Sequence, residues 1–259
     1  MTKNSLSVRL ETLPWPKVQA WQVDCPLLVL PLGATEQHGP ALPINTDSVI
    51  AEALCQEACS LAKVPMAPTL NYTSSVAHTS KWPGTFSLNP KTFIDALSDL
   101  LSWAVDTGWK KILIVNAHAG NDAPMRVAVD EIRRKRIGAV QVGYVNTFYL
   151  SPEIESHFTR DAVDLHANKG ECDLIQHLAP ETIDHEALPI ADDPDRTPGL
   201  VFSYPVSQTS LNGTTGAPSK GCARDGAALF RQMCDALVEK LERAKVECPP
   251  LPEKEWLKP

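Results

Sequence analysis

The chain has 259 residues, which as a prior gives one large α/β domain or two small ones, either able to bury a substantial core. Its 24 Lys and Arg against 31 Asp and Glu leave a formal charge of -7, with Arg133 to Arg136 the one basic cluster, so a nucleic-acid or anionic-membrane footprint is not expected. At 43% apolar and 21% charged residues the composition is too rich in core residues for a disordered chain, and no run approaches the ~18 apolar residues of a membrane span.

Met1 to Ser5 leads into polar sequence without an apolar signal core, so a cytoplasmic protein is expected. The first element is a buried strand: Pro26 to Leu32 is a short continuous apolar run ending in Gly33. From Thr46 or Asp47, either a plausible N-cap, to about Ala62 a helix is read from Ile50, Ala53, Leu54, Ala58 and Leu61. Val64 to Leu70 reads as a second strand. Asn89-Pro90 opens a helix whose stripe is Phe93, Leu97, Leu101 and Ala104 and which Gly108 ends. Lys111 to Val115 is a third strand, Asp122-Ala123-Pro124 starts a helix through Met125, Val129 and Ile132, and Val140 to Val145 resumes β character.

That alternation favours parallel βαβ units, in which ligands collect at the carboxyl edge of the strands. Glu171 to Leu178 looks helical, and Pro180 to Cys222 is dominated by loops. Phe230, Met233, Leu237 and Leu241 mark a closing helix, and Val246 to Pro259 is a Pro-rich tail. With no internal repeat or linker, one domain over 1–259 is expected. The seven cysteines are an odd number with no CxxC pair, against a disulfide framework or zinc ribbon, and most are expected to be buried.

The chemistry gathers after the strands. Behind the first comes Gly33-Ala34-Thr35-Glu36-Gln37-His38-Gly39, with Asp47 nine residues beyond His38. In extended chain Glu36 and His38 point the same way, so one strand end offers two ligands to a metal. Oxygen and nitrogen donors without thiolate suit zinc, manganese or another divalent first-row ion. On these residues alone an ordinary exposed loop is an equal reading. The third strand runs into Asn116-Ala117-His118-Ala119-Gly120-Asn121-Asp122, which puts His118 at a second carboxyl edge and favours the metal. A third cluster, Asp164 to Glu171, sets His166 and Glu171 five apart at a helix start, where a capping role for Glu171 is the alternative.

The strings LPLGATEQHGPALPINTD, HTSKWPGTFSLNP, VNAHAGND and HANKGECD resemble the successive motifs of the creatininase family of metal-dependent amidohydrolases, and Gly213 to Gly221 resembles its late Gly-x-Pro segment. The resemblance spans about Leu30 to Gly226. It implies a three-layer α/β/α sandwich with a mostly parallel central sheet, and two divalent ions per subunit, Zn2+ and/or Mn2+, with Fe2+ as a further option. It also implies a homohexamer built as a trimer of dimers acting on a small-molecule substrate. Carried over, Glu36, His38, Asp47, His118 and Glu171 would be metal ligands, with Asp47 the bridge and Glu171 also counted in the catalytic set. His166 would be the acid/base or substrate-orienting residue, near an imidazole's free pKa of ~6.5.

Two departures follow from the comparison. Creatininase carries a carboxylate ligand two residues after its second-motif histidine, where this chain has Gly120; Glu171 or Asp122 would replace it. Creatininase also closes its site with mid-chain tryptophans, and none occurs here between Trp109 and Trp256, so creatinine is an improbable substrate. Tyr144, Phe148 and Tyr149 line that side or belong to the core. His78, Trp82, Asn116 and Tyr149 are the candidate substrate residues, with a turn on Pro83-Gly84 the plainer reading of the His78–Trp82 stretch.

The expected reaction is cleavage of a C-N amide bond, of cyclic amide or formamide type, by metal-activated hydroxide. The alternatives are a cyclic keto-sugar or lactone hydrolase, a peptide-processing peptidase, or a non-enzymatic metal-binding assembly subunit. A cysteine hydrolase built on Cys172 is a weaker rival, since Cys172 reads more readily as a buried helix residue.

Overall fold

The computed structural model describes residues 7–256. Its elements in chain order are α1 (Trp15–Asp24), β1 (Leu27–Leu32), α2 (Thr46–Ala62), α3 (Pro90–Asp106), β2 (Lys111–Asn116), α4 (Asp122–Lys135) and β3 (Gln141–Asn146). Then come α5 (Pro152–Phe158), α6 (Lys169–Leu178), α7 (Val206–Thr209), α8 (Ala223–Val246) and α9 (Glu253–Trp256). The three strands are parallel in the order β1-β2-β3, in a register that pairs Leu32 with Asn116 and Asn116 with Asn146. All six positions of β1 are buried, as its unbroken apolar run requires, whereas five of the six in β3 are only half-buried.

Two helical layers enclose the sheet: α2, α8 and α6 pack together, with α2 on β1, while α3 packs on α4 and α4 on β3. This is the α/β sandwich expected. The stripe of α3 is inward as read, with Phe93, Leu97 and Leu101 buried, and Leu100 of the same helix is 47% exposed. In α2 the apolar reading overreached at its end. Leu61 is 58% exposed, because it falls on the outward face of the last turn, where Cys59 and Ala62 take the buried positions. The helix is also capped differently, with Asn45 before it and Asp47 inside its first turn.

Val64 to Leu70 does not form a strand. It touches the free edge of β1 at two points, Met66 against Val29 and Leu70 against Leu32. Between those points Pro68 and, opposite it in β1, Pro31 carry no N–H, and four residues of this segment span three of β1, so the ladder does not run through. The Pro-rich tail beyond α8 is exposed rather than core, and the end of α8 is tied to β2 by Lys111 Nζ, which donates to the carbonyls of Ala244, Lys245 and Glu247. Beyond it, Trp256 of α9 donates its indole N–H to Leu251 O.

The loop-rich stretch after α6 is ordered by one buried carboxylate. Asp193 accepts from both terminal nitrogens of Arg196, from Ser210 Oγ and from Leu211 N at 2.7–2.9 Å. It also pairs through its backbone with Gly216. Thr215, next in chain, pairs with His166, so this carboxylate anchors the segment that closes the site from behind.

Two outcomes follow. Leu97→Ala lowers unfolding free energy by about 2–5 kcal/mol, while Leu100→Ala changes it by no more than about 0.5 kcal/mol, both read by denaturant unfolding. Burial opposes ionisation of Asp193, yet Arg196 and the Leu211 and Ser210 donors hold its carboxyl below the usual range. Its stabilising contribution is therefore complete above the unfolded value of ~3.9 and is lost as pH falls through the lower folded value. Asp193→Asn flattens that acid limb; an unchanged limb in a pH series of melts contradicts the assignment.

Candidate metal centre

Gly33 is where the site begins. It ends β1 and lies so close to α2 that a Cβ there would stand 2.4 Å from Ser48 Cα, and Ser48 Oγ donates to Ala34 O at 2.8 Å. The first turn of α2 is thereby pressed against the strand end, which carries Asp47 to the loop holding Glu36 and His38. The same Gly33 carbonyl accepts from Asn121 Nδ2 (3.0 Å) and Thr73 Oγ1 (2.8 Å), which ties in the loop after β2. Asn116 Nδ2 donates to His118 O at 2.7 Å and fixes the turn that presents His118.

Glu36, His38 and Asp47 are each 1% exposed, His118 and His166 3%, and Glu171 8%. Asp47 lies between the two histidines, Oδ1 at 3.4 Å from His38 Nε2 and Oδ2 at 3.3 Å from His118 Nδ1. His118 Nε2 is 3.3 Å from Glu36 Oε2, His166 Nδ1 is 3.4 Å from Glu36 Oε1, and Glu171 Oε2 is 3.9 Å from His38 Nε2. Glu36 Oε2, His38 Nε2 and Asp47 Oδ2 are buried without any hydrogen-bond partner. Each such atom costs about 1–3 kcal/mol, more for a charged group, unless something else satisfies it.

The ring nitrogens are oriented by groups whose roles are fixed. His38 Nδ1 lies 3.1 Å from the Glu36 carbonyl, which only accepts, so the Nδ1–H is spent there and Nε2 is the nitrogen turned to the cluster. His118 Nε2 lies 3.1 Å from Ser74 O, so Nδ1 is the nitrogen turned to Asp47. This is how ligand histidines are held, with the far N–H on a carbonyl. Donor atoms within 4.8 Å of one another form the groups Glu36–Asp47–His118, His38–His166–Glu171 and Glu36–His78–His166. Carboxylates and imidazoles without thiolate fit zinc or manganese.

Burial raises Glu36 to about 7 and Glu171 to about 6, against the pull of His118 and His38 respectively. Burial opposes charge on His38 and His118, yet Asp47 raises the first to about 10, and Glu36 with Asp47 raises the second to about 9. Asp47, despite its burial, is held below the usual range by His38 and His118. His166 departs from expectation: burial, then His78 and His38, push it well below the free imidazole value. His78 is pushed down to about 3, by burial first and His118 next.

Glu171 reaches the cluster by a local device. Asn168 caps α6, accepting from Glu171 N, and Ala167 adopts a left-handed φ of 50° that turns its N–H to Glu171 Oε2 at 2.5 Å. One turn thus supplies both the cap of α6 and the approach of Glu171 to the cluster. Asp122 is not at the cluster; it accepts from Asn146 Nδ2 and pairs with Arg126. Gly120 has no space for a side chain, since a Cβ would lie 2.5 Å from His118 Nε2 and 2.8 Å from Ser74 O. Cys172 is buried and pushed up to about 12 by that burial and by Asp173, which leaves no thiolate for a cysteine nucleophile.

A cavity of about 170 Å³ opens over these residues, walled by Phe148, Phe158, Leu165 and Val206, with Asp164 and Tyr204 also lining it. His78 lines it too. Three substrate candidates do not. Trp82 packs under Lys81 Nζ at 4.5 Å, and that ammonium is anchored on Ser210 O. Asn116 is spent on the His118 turn and on Asn146, and Tyr149 is 53% exposed, stacked edge-on against Phe148, which takes the wall position instead. Tyr144 lies outside as well, beneath Arg126. Phe158 and Tyr204 carry no local sequence signal, because they arrive from α5 and from the loop before α7.

A family model described as creatinine amidohydrolase matches residues 11–241. Mycofactocin precursor peptide peptidase of Mycolicibacterium smegmatis is 27% identical over 230 residues, covering 84% of this chain and 85% of the relative. Creatinine amidohydrolase of Pseudomonas putida is 25% identical over 249 residues, 89% of this chain and 94% of the relative. A crystal structure of creatinine amidohydrolase superposes with a TM-score of 0.81 at 22% identity, over 94% of this chain and 100% of that one. A Zn-Zn mutant creatininase (22% identical, 94% and 100% covered) and a Mn creatininase (21%, 93% and 100%) each give 0.79. With a family match over nearly the full length and the same fold throughout, the chain belongs to the creatininase family.

Proposed function

We propose that this protein is a hydrolase that cleaves a C-N amide bond of a small molecule with two divalent cations, Zn2+ and/or Mn2+, held by Glu36, His38, Asp47, His118 and Glu171. The observation that carries the reading is the trio of buried, partnerless atoms, Glu36 Oε2, His38 Nε2 and Asp47 Oδ2. In this assignment Glu36 and His118 serve one ion, His38 and Glu171 the other, and Asp47 both. Such ions, when bound, lower the pKa of water toward ~7 and polarise a carbonyl oxygen. The family match and the Zn-Zn and Mn forms of the solved creatininases support divalent metal here.

The chain's own residues do the rest. Phe148, Phe158, Leu165 and Val206 keep bulk water from the reacting carbonyl. His166, its Nδ1–H directed toward Glu36 Oε1, orients the substrate as a hydrogen-bond donor, and the leaving nitrogen takes the proton that the attacking water gives up. The cavity is smaller than the ~300–1,000 Å³ of drug-sized ligand sites, which favours a small amide or the end of a longer molecule. Processing of a peptide end is the second reading. The apolar Leu200, Val201 and Phe202, 50%, 91% and 74% exposed just before Tyr204, favour it. In either case a cytoplasmic homo-oligomer, a hexamer of three dimers, is what the family resemblance implies for it. No helix among the described residues is long and apolar enough to cross a membrane.

Asp47→Ala abolishes turnover and lowers metal content toward zero, a larger loss than the about 10–100-fold that substitutions around a ligand shell cost. Elemental analysis beside a panel of cyclic amides, formamides, lactones and short peptides reads both, and unchanged metal in this variant contradicts the bridging role. Stripping the protein with chelator abolishes turnover and Zn2+ or Mn2+ restores it, whereas activity surviving complete removal excludes the reading. Substituting Ala for His166 lowers turnover about 10²–10⁴-fold with metal retained; loss of metal instead makes His166 a ligand.

A further inference from the structure

His166 differs from His38 and His118 in what holds it from behind, and the difference traces to Gln37. Gln37 stands between Glu36 and His38 in sequence and is 4% exposed. Its amide orientation is fixed by two backbone partners of unambiguous role. Gly39 N–H donates to Oε1 at 3.0 Å, and Nε2 donates to Gly213 O at 3.1 Å. A flipped amide would set oxygen against the Gly213 carbonyl and an NH2 against the Gly39 N–H. Nε2 is therefore a donor group, and it lies 2.9 Å from His166 Nε2 and 3.3 Å from His78 Nδ1.

A ring nitrogen facing an amide NH2 has to accept. The proton of neutral His166 is thus on Nδ1, the nitrogen 3.4 Å from Glu36 Oε1. His38 and His118 are the opposite case, since carbonyls take one N–H of each ring and leave the other nitrogen turned toward Asp47.

We infer that Gln37 is a positioning residue that holds His166 with its proton on Nδ1, so that this imidazole meets the site as a hydrogen-bond donor and not as a ligand. The inference deepens the proposed role of His166 and rests on that reading for its catalytic meaning, but not for its test. No room exists for a substitute at the far side: a Cβ on Gly213, whose φ is 93°, would lie 2.1 Å from Gln37 Oε1. Only glycine lets the Gly213 carbonyl reach the amide.

The test is magic-angle-spinning NMR of the zinc-loaded, 15N-histidine-labelled protein, with the His166 signals identified by their loss in His166→Gln. The expected spectrum has a protonated Nδ1 and a bare Nε2. Gln37→Glu, which turns an acceptor toward the ring, moves the proton to Nε2. Gln37→Met, of similar length without a donor, leaves both tautomers populated, and its kcat falls about 10²-fold with KM and metal content unchanged. A wild-type His166 protonated on Nε2 overturns the inference whatever the variants do. A spectrum indifferent to both substitutions overturns it too. Because these spectra need no turnover, a protein that hydrolyses nothing in the panel yet gives the expected spectra defeats the hydrolase reading and leaves the role of Gln37 standing.

Discussion

Three carboxylates removed from water at one edge of an apolar sheet are the constraint around which this molecule is built. An unpaired buried carboxylate is costly enough that proteins neutralise it or give it a counter-charge, and Glu36, Asp47 and Glu171 have both arrangements available in the same few ångströms. Without cations the cluster shares protons, which is why burial raises Glu36 and Glu171 while Asp47 stays ionised between two histidines. The tight fit of α2 on Gly33 keeps the Asp47 carboxylate from retreating to solvent.

From that constraint the surrounding polar groups acquire a consistent logic. Main-chain carbonyls of Glu36 and Ser74 each take the outward N–H of an imidazole, while the Gly213 carbonyl fixes an amide that does the reverse for a third ring. The loop held by Asp193 and Arg196 thus bears on the site through geometry alone, since it carries Gly213 and the Thr215 that pairs with His166. Rigid backbone dipoles, not flexible charged side chains, decide which nitrogen of each ring is free.

Much of this was legible in the sequence. The unbroken apolar runs of β1 and β2 and the stripe of α3 follow from burial on two faces or on one, and the histidine and carboxylate loops behind the strands follow from parallel topology. Where the pattern misled, a donor count or a distant neighbour was responsible. Val64 to Leu70 has the composition of a strand, yet Pro68 and the facing Pro31 of β1 lack N–H groups that a ladder needs. Tyr149 and Trp82 have the chemistry of substrate residues, yet Phe148 and Lys81 already occupy the relevant sides of their rings. Gln37 carries no local signal, because alternation points it away from Glu36 and His38. The partners that give it meaning lie 129 and 176 residues further along the chain.

Gly120 bears on how such centres diverge. With His118 Nε2 and the Ser74 carbonyl filling the volume that a side chain would need, a mutation restoring an acid at this place meets a collision before it meets a cation. A side chain at position 120 and His118 in its present place therefore exclude one another on steric grounds, and the acid that faces His38 reaches in from α6 instead, as Glu171. Any replacement at 120 is thus never an isolated change, because it carries the neighbouring imidazole with it.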